Sequence, residues 1–499
     1  MKSSRRHSVL KITVAFILFT ILSLQISAQT NHPSFEPLFK TNINSTTYTA
    51  DEVFESALLF SECVQNSEVW NRCWQKFNTI KQTVTSTEFQ NLSEEERGRA
   101  ILKYLFRDFL KVYNLDQTKI DTALETGKYN CVSSAILYMA AAKAAGLNVC
   151  GQTTTQHAFC SIYVPNTSST KAGQPQLKKI DVETTNPYGF NPGNKEEIEN
   201  ENEIKQYYVV PKKYYSNRKE VSDGIFTGLI AGNLTSFYIK SGNYHKAIPL
   251  GAARWYAVKN ESAKSTTSIR NEFDILAANY VNLPPQSAAA YSSIIDWFLE
   301  FINYWGITEF LQKNLDTSVI NLFVLCLQEK NYQLAQTCYE KYKTKISQGQ
   351  QIAKAEEILT DIIITNQTEN LTTEQKIAET NRLLSTEDFS APARQKRAQL
   401  HLESFWLEAL NEFMNSRDYE AGYNKASLAL EALPKSSKIK TMQNSFYKNY
   451  IAVIHNNFAR LANSGDYAAA LAILQEGLEK FPNDKTLKKD LTDLQKLTN

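Results

Sequence analysis

The stretch spanning residues 130–192 constrains this chain most, because its hydrophobic period switches there from helical to alternating. Asn130 is a good helix N-cap, and Val132, Ala135, Ile136, Met139, Ala140 and Ala144 follow on one apolar face that ends at Gly146. Lys143 falls beside that face, where its long stem can reach water. Two strand-like runs come next, residues 147–153 and 158–164, joined near His157. After a polar loop at 166–175, residues 177–185 form a third run. In it Ile180 and Val182 face one way, Asp181 and Glu183 the other. Pro187, Gly189, Pro192 and Gly193 end it. A helix followed by an antiparallel sheet predicts an α+β core.

The same stretch carries the chemistry. Unpaired N–H groups and the dipole at a helix N-terminus favour a thiolate, which makes Cys131 a candidate nucleophile. A nucleophilic thiol needs an imidazole partner, and that base needs an orienting group. Of the six His, His7 lies in a leader-like segment, His32 in a polar lead-in, and His245, His401 and His455 in the C-terminal helical region. His157 is the one left near the core. Asp181 is the natural orienter on the neighbouring strand, and Glu183, on the same face, is the fallback. The plainer alternative is a hairpin histidine beside two solvated strand carboxylates. Cys160, three residues from His157, points to the opposite face of a strand, and Cys150 opens a strand with no helix terminus beside it. The backbone N–H of Cys131 is a reasonable oxyanion donor. A second could come from Tyr129, Asn130 or Gln152, although Gln152 reads better as a surface amide.

Other chemistries are excluded by what is missing. The sequence has no Gly-x-Ser-x-Gly, His-Glu-x-x-His, Walker or Gly-x-Gly-x-x-Gly motif, and its Cys and His are not clustered as zinc ligands. No cofactor or metal is expected. Tyr207, Tyr208, Tyr214 and Tyr215, with Lys212, Lys213, Arg218 and Lys219, read as packing and solvation rather than as a nucleic-acid site.

Residues 1–28 read as a signal peptide, with an uncleaved anchor as the alternative. Lys2, Arg5, Arg6 and Lys11 precede an apolar run too short for a comfortable span, and Ile26-Ser27-Ala28 offers a cleavage site. The expected location is periplasmic or secreted. The chain's net charge is +2; the leader holds four basic residues and no acidic one, so the rest carries −2. That balance gives no reason to expect nucleic acid or a membrane surface as partner. In an exported chain seven Cys raise the question of disulfides. Six group as sequence neighbours, 63 with 73, 150 with 160 and 326 with 338, which leaves Cys131 odd; buried free thiols are the alternative.

The remainder is helical. Residues 29–45 read as a mobile lead-in, and up to about 127 the pattern is helical, with a capping box at Ser93 and Glu96. From 222 to 499 a repeat recurs. Tyr467 and Pro482 stand fifteen residues apart, as do Tyr419 and Pro434, and looser copies begin at Tyr244 and Tyr332. These offsets match the second half of a tetratricopeptide repeat, with small Ala or Gly where paired helices meet.

Asn130-Cys131-Val132-Ser133, Ala144-Ala145-Gly146-Leu147, Gln156-His157-Ala158-Phe159 and Ile180-Asp181-Val182-Glu183-Thr184 together resemble the transglutaminase-like superfamily. More narrowly, the chain resembles the bacterial branch that joins such a domain to tetratricopeptide repeats. The resemblance implies a papain-like fold over residues 128–221, with Cys131 as nucleophile, His157 as base and Asp181 as orienter. It implies an exported cysteine acyl-transfer enzyme, hydrolysing an amide or peptide through a thioester, whose repeats dock a protein or peptide. A non-catalytic envelope scaffold with a relic domain, and a protein-crosslinking transamidase, are the alternatives.

Overall fold

The computed structural model describes residues 32–41, 43, 45–166, 176–192 and 217–498. The signal-like residues 1–28, the loop at 167–175, Gly193 and the basic-aromatic stretch at 207–215 lie outside the described residues. The chain divides into two compact units. One takes in the described residues up to Pro284 together with Asp296–Leu311, the other Pro285–Ile295 and the described residues from Gln312 on.

The first unit is built around one helix. Helices α1 (Ala50–Phe60), α2 (Glu68–Val84), α3 (Glu94–Asp108) and α4 (Ile120–Thr126) pack around α5 (Cys131–Ala144). Every residue of α5 from Cys131 to Ala142 is buried, not one face alone. Small residues make this possible: Ser133, Ser134, Ala135 and Ala140 to Ala142 let neighbours approach from several sides. Where α3 crosses, the Tyr138 hydroxyl donates to the Gly98 carbonyl at 3.1 Å. A Cβ on Gly98 would lie 2.8 Å from Ile162 and 2.9 Å from Phe190. The capping box expected at Ser93 and Glu96 forms at the start of α3.

Lys143 is paired rather than solvated. Its ammonium is almost enclosed, 2.8 Å from Asp223 Oδ2 and donating to the Tyr48 carbonyl at 2.9 Å. The packing around the end of α5 leaves the stem little room, so the charge is paired.

Four strands follow: β1 (Asn148–Thr153), β2 (Ala158–Pro165), β3 (Leu177–Val182) and β4 (Lys219–Val221). Their spatial order is β3–β2–β1–β4, antiparallel throughout. The three-residue β4 is too short to announce itself by alternation, and β3 ends at Val182, earlier than its sequence pattern. The fold is therefore α+β, mostly helical with a small antiparallel sheet. The pleat turns Cys160 toward α5, where its thiol donates to the Ala135 carbonyl at 3.2 Å. Cys150, opposite Ser161, is on the other face beside Gln152. A bridge between Cys150 and Cys160 is thus ruled out by the strands' alternation, and none of the seven cysteines is in a disulfide.

Helices α6 (Asp223–Thr227), α7 (Leu229–Lys240) and α8 (Tyr244–Val258) belong to this first unit and pack on α1. Residues 32–41, expected to be a mobile lead-in, are tied down within it. Trp297 Nε1 donates to the Pro33 carbonyl at 2.6 Å, Trp305 Nε1 to that of Phe35 at 2.7 Å, and Leu38 N to that of Pro249 at 3.4 Å. Indole N–H groups on later helices gave no sequence signal for that clamp.

The repeat offsets mark real helix starts. Helices Tyr332–Tyr342, Tyr419–Ala432 and Tyr467–Lys480 of the second unit begin at the motif tyrosines. Asn331, Asp418 and Asp466 cap them through side-chain bonds to Leu334, Ala421 and Ala469 N–H. Asn243 caps α8 in the same way. The small residue marks the helix contact better than the tyrosine does. A Cβ on Gly422 would sit 2.3 Å from the Phe446 ring, and Ala470 is buried, whereas Tyr467 is 39% exposed. Among the described residues no helix is long and apolar enough to cross a membrane.

Gly151 of β1 faces Phe226 of α6, and an added Cβ would lie 2.3 Å from its ring. Gly151→Ala is expected to lower the unfolding free energy by about 1–3 kcal/mol through overpacking, read by chemical denaturation. An unchanged midpoint would mean that Phe226 does not rest on the sheet at this point.

Candidate active site

The site begins at the cap of α5. Asn130 has extended backbone, and its Oδ1 accepts from Val132 N at 3.0 Å and Ser133 N at 3.1 Å. Ser133 Oγ returns the bond by accepting from Asn130 N at 3.0 Å. Asn130 Nδ2 donates to the Leu115 carbonyl, fixing the cap to the loop before α4. The cap does not use the N–H of Cys131, the first helical residue, whose side chain is buried but for a small opening. A thiol and an uncommitted backbone donor therefore share one helix terminus.

His157 closes the β1–β2 hairpin. Thr154 N donates to its carbonyl at 2.9 Å, and its ring stacks on Phe159 with centroids 6.1 Å apart. The ring is hydrogen-bonded to the Cys131 side chain, and Nε2 lies 2.6 Å from Glu183 Oε2. With Nε2 held by the carboxylate, Nδ1 is the nitrogen left for the thiol.

Glu183 is the first residue beyond β3 and is 1% exposed. Its second oxygen, Oε1, accepts from Thr185 N at 3.2 Å and from Thr185 Oγ1 at 2.7 Å. Its backbone N–H donates to the Gly189 carbonyl at 2.7 Å, in a turn so tight that a Cβ on Gly189 would fall 1.9 Å from Glu183 O. Ser134 Oγ and Thr184 Oγ1, 3.2 Å apart, tie this segment to the first turn of α5.

The structure thus brings together Cys131, His157 and Glu183, and not Asp181. Asp181 accepts from Ser161 Oγ at 2.7 Å and pairs with Arg218. Register decides between the two carboxylates. Asp181 stands opposite Ser161, four residues along β2 from His157, a distance of about 13 Å at strand rise. Glu183 lies one step past the Cys160–Val182 pair, within diagonal reach of the histidine. Alternation placed both carboxylates on one face, and only the register shows which one reaches the ring. Gln152 is not a surface amide; it is buried and donates to Cys150 Sγ and Glu220 Oε2, so its N–H groups are spent. Tyr129 lends its hydroxyl to the Thr185 carbonyl.

Burial pulls the His157 pKa down, but hydrogen bonds to Cys131 and Glu183, with the charges of both, outweigh it and carry the group up to about 10.

In front of Cys131 and His157 is a cavity of about 480 Å3, within the usual range for ligand clefts. One wall is the loop from Leu115 to Lys119, and another is the hairpin tip from Thr153 to Ala158. The third is α7, which turns Leu229, Asn233, Phe237 and Lys240 into the cavity at helical spacing. Asn233 Nδ2 donates to Thr118 Oγ1 at 3.0 Å and pins α7 across the opening. Reading from 222 onward as repeats hid this wall from the sequence; the apolar i, i+8 pair Leu229 and Phe237 was the available signal. Comparison with protein-family models, curated proteins and solved structures found no match.

Because the folded imidazole titrates above its ordinary value of 6.5, its contribution to stability is complete below that value and is lost as pH rises toward about 10. Histidine NMR titration should place the His157 pKa well above 7. Glu183→Gln should lower it by roughly 1–3 units, the usual effect of losing an adjacent carboxylate charge. A wild-type value near 6.5 would overturn the ion-pair description.

Proposed function

We propose that this protein is an exported cysteine acyl-transfer enzyme that hydrolyses an amide or peptide bond, with Cys131 as nucleophile, His157 as acid and base, and Glu183 as orienter. One observation carries the reading: a thiol at a capped helix terminus is bonded to an imidazole whose Nε2 is held at 2.6 Å by a buried carboxylate, at the wall of a cavity. Structural histidines do pair with carboxylates, as His401 does with Asp361, but there the carboxylate is shared with Arg397.

In this reading the Cys131 sulfur, as thiolate, adds to the carbonyl carbon, and the oxyanion forms against the Cys131 N–H. The imidazolium gives its proton to the departing amine, leaving a thioester and a neutral ring. Water, deprotonated by that ring, adds to the thioester. The acid product leaves, and the proton on His157 and the thiolate are restored together. The capped helix, antiparallel sheet and Cys-His-carboxylate order support a papain-like, transglutaminase-like core, with Glu183 in the place the resemblance gave to Asp181. The capped helical hairpins support tetratricopeptide-like repeats that dock a protein or peptide, and the basic-then-apolar leader supports export to the periplasm or beyond.

Iodoacetamide labelling of Cys131, followed by peptide mass spectrometry, tests the assignment. Labelling should be rapid at or below pH ~7, where an ordinary thiol is slow. His157→Ala should slow it by roughly 10²–10⁴-fold, the range for loss of an acid–base partner. Thr185→Val, which removes one bond to Glu183 without touching the ring, should give a smaller loss. Slow labelling that ignores His157 would leave the fold without this chemistry.

A further inference from the structure

The cavity walls indicate what the nucleophile acts on. Leu115 and Phe237 are 72% and 63% exposed, among the most exposed large apolar side chains of the described residues, and both line the cavity that holds Cys131 and His157. They come from separate elements, Leu115 from the loop that Asn130 Nδ2 fixes and Phe237 from α7, which Asn233 pins to Thr118. Leu229, Leu234 and Val132 add apolar surface to the same cavity. Single exposed apolar residues are ordinary; several converging on one reactive thiol are not scattered singly. Three polar side chains of the lining are already engaged. Gln117 Nε2 donates to the Lys119 and Lys128 carbonyls, Asn130 serves the cap and Leu115, and Asn233 serves Thr118.

We infer that Leu115 and Phe237 form an apolar subsite, so that the substrate is a peptide with a large apolar side chain next to the scissile amide. This rests on the acyl-transfer reading, and it adds a substrate class to it. Covering the two side chains removes apolar surface from water, worth roughly tenfold to a hundredfold in preference over a substrate lacking the group.

The test has two parts that fail separately. In the first, Cys131 is labelled with iodoacetamide and with N-benzyl iodoacetamide; in both the sulfur displaces iodide and forms a C–S bond. The benzyl-to-plain rate ratio is divided by the ratio for glutathione, which removes intrinsic reactivity. The expected normalised ratio is about ten or more, falling toward one in Phe237→Ala and Leu115→Ala. In the second, calorimetry on Cys131→Ala compares N-acetyl-phenylalanine amide with N-acetyl-glycine amide, without any reaction. The phenylalanine compound should bind more tightly by a similar factor, and Phe237→Ala should remove the difference. A normalised ratio near one, or equal binding of the two amides, overturns the subsite. Labelling that is indifferent to His157→Ala overturns the catalytic reading instead, and the calorimetry still decides the subsite.

Discussion

Burial of α5 on all sides is the constraint on which the first unit depends. A helix buried from Cys131 to Ala142 must have most of its terminal backbone groups satisfied from within the protein. At the N-terminus Asn130 and Ser133 do this reciprocally. At the C-terminus Arg97 Nη1 donates to the Ala145 carbonyl at 3.0 Å, Gly146 turns the chain with φ of 79°, and Lys143 is paired with Asp223. A cation in the last turn also suits the helix dipole. Asp223 Oδ2 accepts from Tyr48 N as well, so one carboxylate joins the segment before α1, the end of α5 and the helices after the sheet.

The site uses that rigidity. Cys131 has little freedom, because its helix is enclosed and its cap is tied to Leu115. His157 is set by a hairpin whose partner strand lies against α5, and Glu183 by a glycine turn and by Thr185. Three elements far apart in sequence each deliver one group. A buried carboxylate against a partly buried imidazole is stable here because Glu183 accepts from three donors. Proton, thiol and cavity meet at one helix terminus.

Much was legible in the sequence, and for local reasons. Caps are set by the residues beside them, so Asn130 and Ser93 could be read directly. Apolar alternation gave three strands, and elimination among six histidines isolated His157. Failures came where the answer depended on contacts between distant segments. The clamp of tryptophans on residues 32–41, the pairing of Lys143 with Asp223 and the short strand β4 have no local pattern.

The carboxylate shows the division most sharply. Sequence alone grouped Asp181 with Glu183, since side chains alternate with period two along a strand. Which of them meets His157 depends on the offset between β2 and β3, and that offset is set by packing of the sheet on α5. The local code likewise determined that residues 229–240 form a helix, while tertiary structure alone decided that this helix faces a thiol nearly a hundred residues earlier. Helices and caps follow from neighbours in the chain; a site built from three separate segments follows from how those elements are stacked.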